Sequence, residues 1–334
     1  MATFREPAWP TSDDKIVAQF QFEVVSETNG LLEEAVGRYF NDLKYSLKSL
    51  HPDSKNKFGH YLVSFQKKPY NAVLHIRAFS SKDDIECMSE ILEHLDVHDV
   101  SFSKFYISKN GFYEEKIGPY FITFTEYFNG RHYMPKSSDI IALSIGLSQL
   151  HNGFQKISDV RNIEQTTEFV DSEKCNYLQN SHCFNEAIIP KHFNQMMLLA
   201  RGSVDIKWEA FGEKQICHGD LSPGNILFGK EGHVIFLDFE TAARNFKPVY
   251  SDIGMCGLRY CLSEQSAESE HNISKFIKNY TFKKIDHETF VKSMVNVAFN
   301  SVVTLDFLVA KGDKFRLSEW QKVANWLRLL GKIT

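Results

Sequence analysis

Apolar residues recur along this chain at two periods, and the period changes with position. LLEEAVGRYFNDL, residues 31–43, has helical spacing and predicts a helix. Tyr45–Leu50, Tyr61–Phe65 and Ala72–Phe79 read as strands, separated by the polar turn His51–His60 and the link Gln66–Pro69. Ser81–Leu95 returns to the helical period. Ile85, Met88, Ile91, Leu92 and Leu95 form its stripe, and Ser81 or Asp83 can cap it. Two more strands are predicted at Lys104–Ser108 and Tyr120–Tyr127, with turns at Lys109-Asn110-Gly111 and Gly118-Pro119. Beyond Gly130 helical patterns dominate. They are Ser137–His151, Phe193–Ala200, Val204–Phe211, the stripe Phe290, Met294, Val297 and Val302, and the tail Trp320–Leu330. Residues 1–30, broken by Pro7, Pro10 and Gly30, predict an irregular arm with a short helix around 14–22. Strands early and helices late point to an α+β fold.

One stretch in the helical half breaks the pattern: HGDLSPGNILFGKEGHVIFLDFE, His218 to Glu240. Ile226-Leu227-Phe228 and Val234-Ile235-Phe236-Leu237 are short apolar runs, joined by Gly229-Lys230-Glu231-Gly232, a turn-forming composition. The prediction is a loop, a strand, a tight turn and a second strand. Such a hairpin returns Asp238 to the loop that carries Asp220 and Asn225. An amide oxygen and a carboxylate suit Mg²⁺, a hard cation that keeps few protein ligands alongside phosphate and water. A second carboxylate, Asp220, can accept a hydroxyl proton for in-line attack on a phosphoryl group.

The order H-G-D-x-x-x-x-N followed by D-x-E resembles the aminoglycoside phosphotransferase and choline kinase superfamily. It keeps the Asp-to-Asn spacing of the protein-kinase catalytic loop, with Gly219 where that loop has Arg. The resemblance implies a bilobal protein-kinase-like fold. A small antiparallel-sheet N-lobe would span residues 1–128, with a hinge at about 124–130. A mostly helical C-lobe, residues 129–334, would hold the catalytic loop and the substrate site. The cofactors implied are ATP and Mg²⁺, with Asp220 catalytic and Asn225 and Asp238 on the metal. The stretch 123–130, TFTEYFNG, resembles the hinge, where the backbone of Glu126, Tyr127 and Phe128 would meet the adenine edge.

Val73-Leu74-His75-Ile76-Arg77 resembles the superfamily strand whose cation touches the nucleotide phosphates. His75 occupies the cation position and departs from the family's Lys or Arg. Arg77 follows two residues later on the same strand face. Either can take the role, and Arg77 as a surface residue on an edge strand is the plain alternative. Glu86 and Glu90 are the candidate helix partners, and Glu90 fits the family spacing to Leu95 better. His51–His60, with its single Gly59, falls where a loop covers the phosphates, although an ordinary hairpin turn fits the same residues. Asp252-Ile253-Gly254 resembles a position that supports the metal loop from behind. Leu150-His151 resembles the end of a family helix, with His151 structural.

The function implied is transfer of the ATP γ-phosphate to a hydroxyl of a small molecule such as an aminosugar, choline or homoserine. The alternative is a kinase-like nucleotide-binding or regulatory protein without turnover, a reading that rests on His75.

Composition narrows this further. A chain of 334 residues suits two lobes around a cleft, and 43% apolar with 24% charged residues is ordinary for a water-soluble globular protein. A net charge of −4 gives no basic footprint for nucleic acid. Six cysteines show no C-x-x-C spacing, and no apolar run approaches the roughly 18 residues of a membrane span. A cytoplasmic protein with reduced thiols is expected. Cys217, Tyr260, Tyr280, Trp320 and Trp326 read as core residues.

Overall fold

The first helical stretch folds and then stops early. Residues 30–39 form helix α1, with Leu32, Ala35, Val36 and Tyr39 buried along one face. The predicted end at 43 is not reached. Phe40 turns into an aromatic cluster, 4.6 Å from Phe65 and 5.1 Å from Phe124 between ring centroids, and the chain leaves the helix there. The computed structural model describes residues 30–41, 44–51, 57–66, 71–77, 80, 82–96, 101–158, 211–229, 232–239, 242, 245–310 and 317–333. The arm at 1–29, most of the turn at 52–56 and the segments Phe193–Ala200 and Val204–Ala210 lie outside them.

Under α1 lies a five-stranded antiparallel sheet. Its strands are β1 (Tyr45–His51), β2 (Lys57–Phe65), β3 (Asn71–Arg77), β5 (Glu114–Ile117) and β6 (Tyr120–Glu126). They run in the order β1-β2-β3-β6-β5. Alternation decides the faces. Ala72, Leu74 and Ile76 join Tyr61, Val63, Ile122, Phe124 and the α1 stripe in one core cluster. His75 lies on the other face, in register with His60 on β2 and Thr123 on β6. β3 is the central strand and Arg77 is only 3% exposed, which corrects its reading as a surface residue on an edge strand.

The strand expected at 104–108 is absent. There the chain makes one isolated bridge, Phe105 to Thr125. On its side away from β3, β6 pairs instead with β5, whose sequence EEKI carries no apolar alternation. Its anchor is the buried Glu115, which accepts hydrogen bonds from Ser108 Oγ at 2.6 Å, Asn110 Nδ2 at 2.8 Å and Arg38 at 2.8 Å. A strand fixed by a buried carboxylate is invisible to hydrophobic periodicity.

At the start of helix α2 (Lys82–Asp96), Ser80 Oγ accepts from the Lys82 N–H at 3.2 Å, while the cap candidate Ser81 lies outside the described residues. Its residues Met88, Ile91, Leu92 and Leu95 belong to a second, larger core cluster. That core is organised on α3 (Ser137–Ser158), with Ile140, Leu143, Leu147, Leu150, Phe154 and Ile157 buried on one face. Phe154 and Ile157 continue the stripe, which carries the helix two turns past His151. Strand β4 (Ser101–Phe102) pairs in parallel with β9 (Val234–Phe236), and β9 pairs antiparallel with β8 (Ile226–Phe228).

A two-stranded ribbon joins β7 (Lys214–Ile216) to β10 (Phe246–Pro248). Helix α4 (Tyr250–Cys256) runs into a π turn (Gly257–Cys261), followed by α5 (Ser266–Asn279), α6 (His287–Ala310) and α7 (Leu317–Leu330). The predicted stripe Phe290, Met294 and Val297 is buried, as are Tyr260, Tyr280 and Trp326. Among the described residues no helix is long and apolar enough to cross a membrane.

Candidate active site

The hairpin predicted from His218–Glu240 is present as β8 and β9, preceded by a short 3₁₀ turn, Pro223–Asn225. Gly219 opens the loop at φ +81°, a left-handed conformation that glycine adopts without the Cβ clash. Asn225 then folds back on Asp220. Its Nδ2 donates to the Asp220 backbone oxygen at 3.0 Å and to Asp220 Oδ2 at 2.9 Å. Both partners can only accept, so the amide orientation is fixed and Oδ1 is the atom left to offer lone pairs.

Asp238 is tied to the same loop through its neighbour. The Leu237 N–H donates to the Asn225 carbonyl at 2.8 Å, and the Leu237 carbonyl accepts from His218 Nε2 at 3.0 Å. His218 Nδ1 in turn accepts from the Asp220 N–H at 3.3 Å. One imidazole therefore spans both loops. Asp238 itself is exposed and sits at φ +56°, the sole non-glycine residue at positive φ among those described. Such strain concentrates at functional sites, where the surroundings over-determine it. Phe239 is buried beside it and holds the turn in the core, 4.6 Å from the His218 ring.

Behind the loop lies Asp252, 1% exposed. Oδ2 accepts from the His218 N–H at 2.8 Å and Oδ1 from the Gly219 N–H at 3.0 Å. Its support therefore falls on the start of the loop that carries Asp220 and Asn225. His151 Nε2 lies 3.1 Å from Asp252 Oδ2, and its Nδ1 lies 2.6 Å from the Tyr280 hydroxyl. Burial works to raise the Asp252 carboxyl, but the hydrogen bond and charge of His151, with His218 and the Gly219 N–H, hold it below the usual carboxylate range. Burial, then Cys217 and Asp252, push the Tyr280 hydroxyl well up, so it stays protonated. Cys217 is buried and its thiol donates to the Lys247 carbonyl at 3.2 Å, with burial first and Asp252 second pushing it well up. His151, Cys217 and Asp252 lie close enough to suggest a metal cluster. However, each is already engaged in these hydrogen bonds.

The remaining predicted residues occupy other elements. His75 is half-buried on β3, with Nε2 2.9 Å from Thr125 Oγ1 and its ring edge-on to His60 at 4.5 Å. Arg77 is buried at the end of the same strand. Glu90 is exposed on α2, and Glu86 is exposed and 3.6 Å from Lys82. At the end of β6 the Glu126 N–H donates to the Lys104 carbonyl at 2.8 Å, and its carbonyl accepts from Ser103 Oγ at 2.8 Å. The Tyr127 N–H reaches Asn71 O at 3.2 Å. Glu126 thus has both backbone groups engaged inside the protein, and Tyr127 its N–H.

Three contributors were not legible in the sequence: Tyr280, which orients His151; Tyr260, whose hydroxyl donates to the Leu221 carbonyl at 3.1 Å; and His132, whose Nδ1 lies 3.0 Å from the Pro223 carbonyl. Each is far from the loop in sequence, and no local spacing signals it.

Residues 194–273, which include the whole Asp220 loop and Asp252, match the model of the phosphotransferase enzyme family. Solved structures extend the likeness over nearly the entire chain. A spectinomycin phosphotransferase, determined with ADP and spectinomycin, aligns with a TM-score of 0.62 at 12% identity, covering 91% of this chain and 98% of that one. The chain has the fold of the aminoglycoside phosphotransferase and choline kinase superfamily. An amicoumacin kinase, determined with AMP-PNP, Ca²⁺ and Ami, aligns with a TM-score of 0.64 at 16% identity over 94% and 96% of the two chains. Choline kinase LicA from Streptococcus pneumoniae aligns at 0.55 and 14%, over 94% and 99%. A search of curated proteins returns no match. The likeness thus rests on the fold and on the segment 194–273, and the architecture is the α+β protein-kinase-like one.

Proposed function

We propose that this protein is an Mg-ATP-dependent phosphotransferase acting on a hydroxyl of a small molecule. The observation that carries the reading is the Asn225–Asp220 hydrogen bond. It fixes an amide and a carboxylate in one loop and leaves each with its Oδ1 to use. The donor set Asn225 Oδ1 and Asp238 consists of oxygen atoms alone and fits a hard divalent cation. When bound, Mg²⁺ neutralises charge on the β- and γ-phosphates.

The chain's own residues do the rest. Asp220 has Oδ2 bonded to Asn225, so Oδ1 is the oxygen offered to an acceptor hydroxyl. As the new P–O bond forms and the bond to the ADP leaving oxygen breaks, the hydroxyl proton passes to Asp220. His218 and Leu237 keep Asp238 in register with that event. Because Glu126 is engaged within the fold, the adenine edge falls to Tyr127 and Phe128. Glu90 and either His75 or Arg77 serve the phosphates. Relatives with this fold were determined with ADP and with AMP-PNP, which supports a nucleotide ligand here.

A second reading, a nucleotide-binding protein without turnover, draws support from His75. An imidazole hydrogen-bonded to Thr125 stands there in place of the permanently charged Lys or Arg of the family strand. Two measurements separate the readings: thermal stabilisation by ADP and ATP with and without Mg²⁺, then ATP turnover across a panel of small alcohols. Turnover that is lost in Asp220→Asn supports the phosphotransferase. Stabilisation without any turnover supports the second reading.

A further inference from the structure

The peptide groups on either side of Asp220 are held by one helical element. Asp252, near the start of α4, accepts the N–H groups of His218 and Gly219. Tyr260, in the π turn that continues α4, donates its hydroxyl to the carbonyl of Leu221 at 3.1 Å. In an unbroken α-helix, residue 260 would lie about 80° around the axis from residue 252. The wider turn at Gly257–Cys261 changes that phase, and both side chains reach the same loop. Wide turns of this kind frequently occur at functional sites.

The element is also fixed from the opposite side. A Cβ at Gly254 would meet the Ser293 carbonyl oxygen at 2.5 Å, and one at Gly257 would meet Met294 Cγ at 2.6 Å. Glycine at these positions lets α4 and the π turn lie flush on α6, which leaves no room for the helix to slide. Tyr260 is 2% exposed, with the Tyr133 ring edge-on at 4.8 Å. The Tyr133 hydroxyl donates to the Tyr260 carbonyl at 2.9 Å. Filling this space needs only the ring. The hydroxyl adds a bond to the residue next to Asp220, and a Phe would leave a buried carbonyl short of its donor.

We propose that Tyr260 is a positioning residue for the Asp220 carboxylate, acting through the Leu221 carbonyl. This rests on the phosphotransferase reading of Asp220. Removing the hydroxyl loosens the loop on one side while the nucleotide groups on β3, β6 and Asp238 keep their places. The loss therefore falls on the chemical step and not on nucleotide affinity.

The test is Tyr260→Phe in the full chain, with turnover of Mg-ATP and binding of Mg-ADP measured on the same samples, well below the variant's Tm. The expected result is a kcat lower by roughly ten-fold, because small misplacement of a reacting group is costly, with KM for ATP and ADP affinity changed by no more than about two-fold. A lower Tm with wild-type kcat would show that the hydroxyl serves stability alone and would overturn the inference. If Tyr260→Phe does not fold, Tyr133→Phe carries the test, since it frees the Tyr260 carbonyl. It should lower kcat by about two- to three-fold with the same unchanged KM, and an unchanged kcat there also overturns the inference. A wild-type protein without turnover overturns the phosphotransferase reading and this inference together, whereas a Tyr260→Phe variant as fast as an active wild type overturns this inference alone.

Discussion

Leu237 is held at both its amide and its carbonyl, by Asn225 and His218, and Asp238 next to it is forced into a left-handed backbone. Across the molecule, His75 shares a hydrogen bond with Thr125 and rests edge-on against His60. The first region is a short piece of chain that bonds to itself and is backed by Asp252. The second is assembled from three strands, and phosphate contacts there would also need a helix and a turn. A site built within one hairpin keeps its geometry through its own hydrogen bonds. A site assembled across elements can change a residue, as at His75, without disturbing the fold. The arrangement of Asp220, Asn225 and Leu237 is therefore locked by the loop's own hydrogen bonds, while the surroundings of His75 depend on separate strands.

The largest expected effect breaks the self-bonded side. Asp220→Asn keeps shape but loses proton acceptance, and turnover should fall by about 10³-fold, with Mg-ADP stabilisation close to wild type. Wild-type turnover in that variant would remove Asp220 from the chemistry.

Asp252→Asn attacks the same region from behind. Loss of a buried carboxylate bonded to two backbone N–H groups and His151 should cost roughly 3 kcal/mol in denaturant unfolding. The pH dependence has a definite sign. The Asp252 carboxyl is held below its ordinary value in the folded state. Its contribution is therefore fully present above the unfolded carboxyl range near pH 4 and is lost as pH falls through the folded value. The gap between wild type and variant should be flat from about pH 5 to 8 and narrow below about pH 4. A gap that closes on the alkaline side would contradict this assignment.

Asp238→Ala should remove the Mg²⁺-dependent part of the stabilisation by ATP. That part amounts to about 2.7 kcal/mol for a ligand at a hundred times its Kd. An unchanged Mg-ATP shift would take Asp238 out of the metal site.

The legible and illegible parts divide along the same line. The spacing of Asp220, Asn225 and Asp238 and the apolar runs between them are local, so hairpin and loop could both be read from residues alone. The α1 and α3 stripes were readable for the same reason. Strand β5 was not, because a buried carboxylate holds it in place of apolar alternation. The helix end at Phe40 depends on rings from β2 and β6. Asp252 was noticed as a support, but which loop it grips follows from α4 packing on α6, a contact no sequence pattern encodes. Tyr260 looked like core and is core, and only its hydroxyl carries the additional role.

The smallest expected effect sharpens the open side of the comparison. If Arg77 meets the phosphates, Arg77→Ala should weaken ATP and ADP by roughly ten-fold, or 1.4 kcal/mol, and leave adenosine unchanged. If His75 does, His75→Ala should show that selectivity, and wild-type ATP affinity should rise as pH falls into the range where an imidazole gains its proton. Isothermal titration with ATP, ADP and adenosine distinguishes the two. If neither variant changes the ATP-to-adenosine ratio, β3 is not the phosphate-binding strand.

The most direct measurement is phosphorus NMR of wild-type protein with Mg-ATP and a pool of small alcohols that includes choline, homoserine and aminosugars. The account predicts that the γ-phosphate signal declines while a phosphomonoester signal grows, and that Asp220→Asn abolishes both changes. An unchanged ATP spectrum from protein that Mg-ADP demonstrably stabilises would contradict the phosphotransferase reading and leave a nucleotide-binding protein in its place.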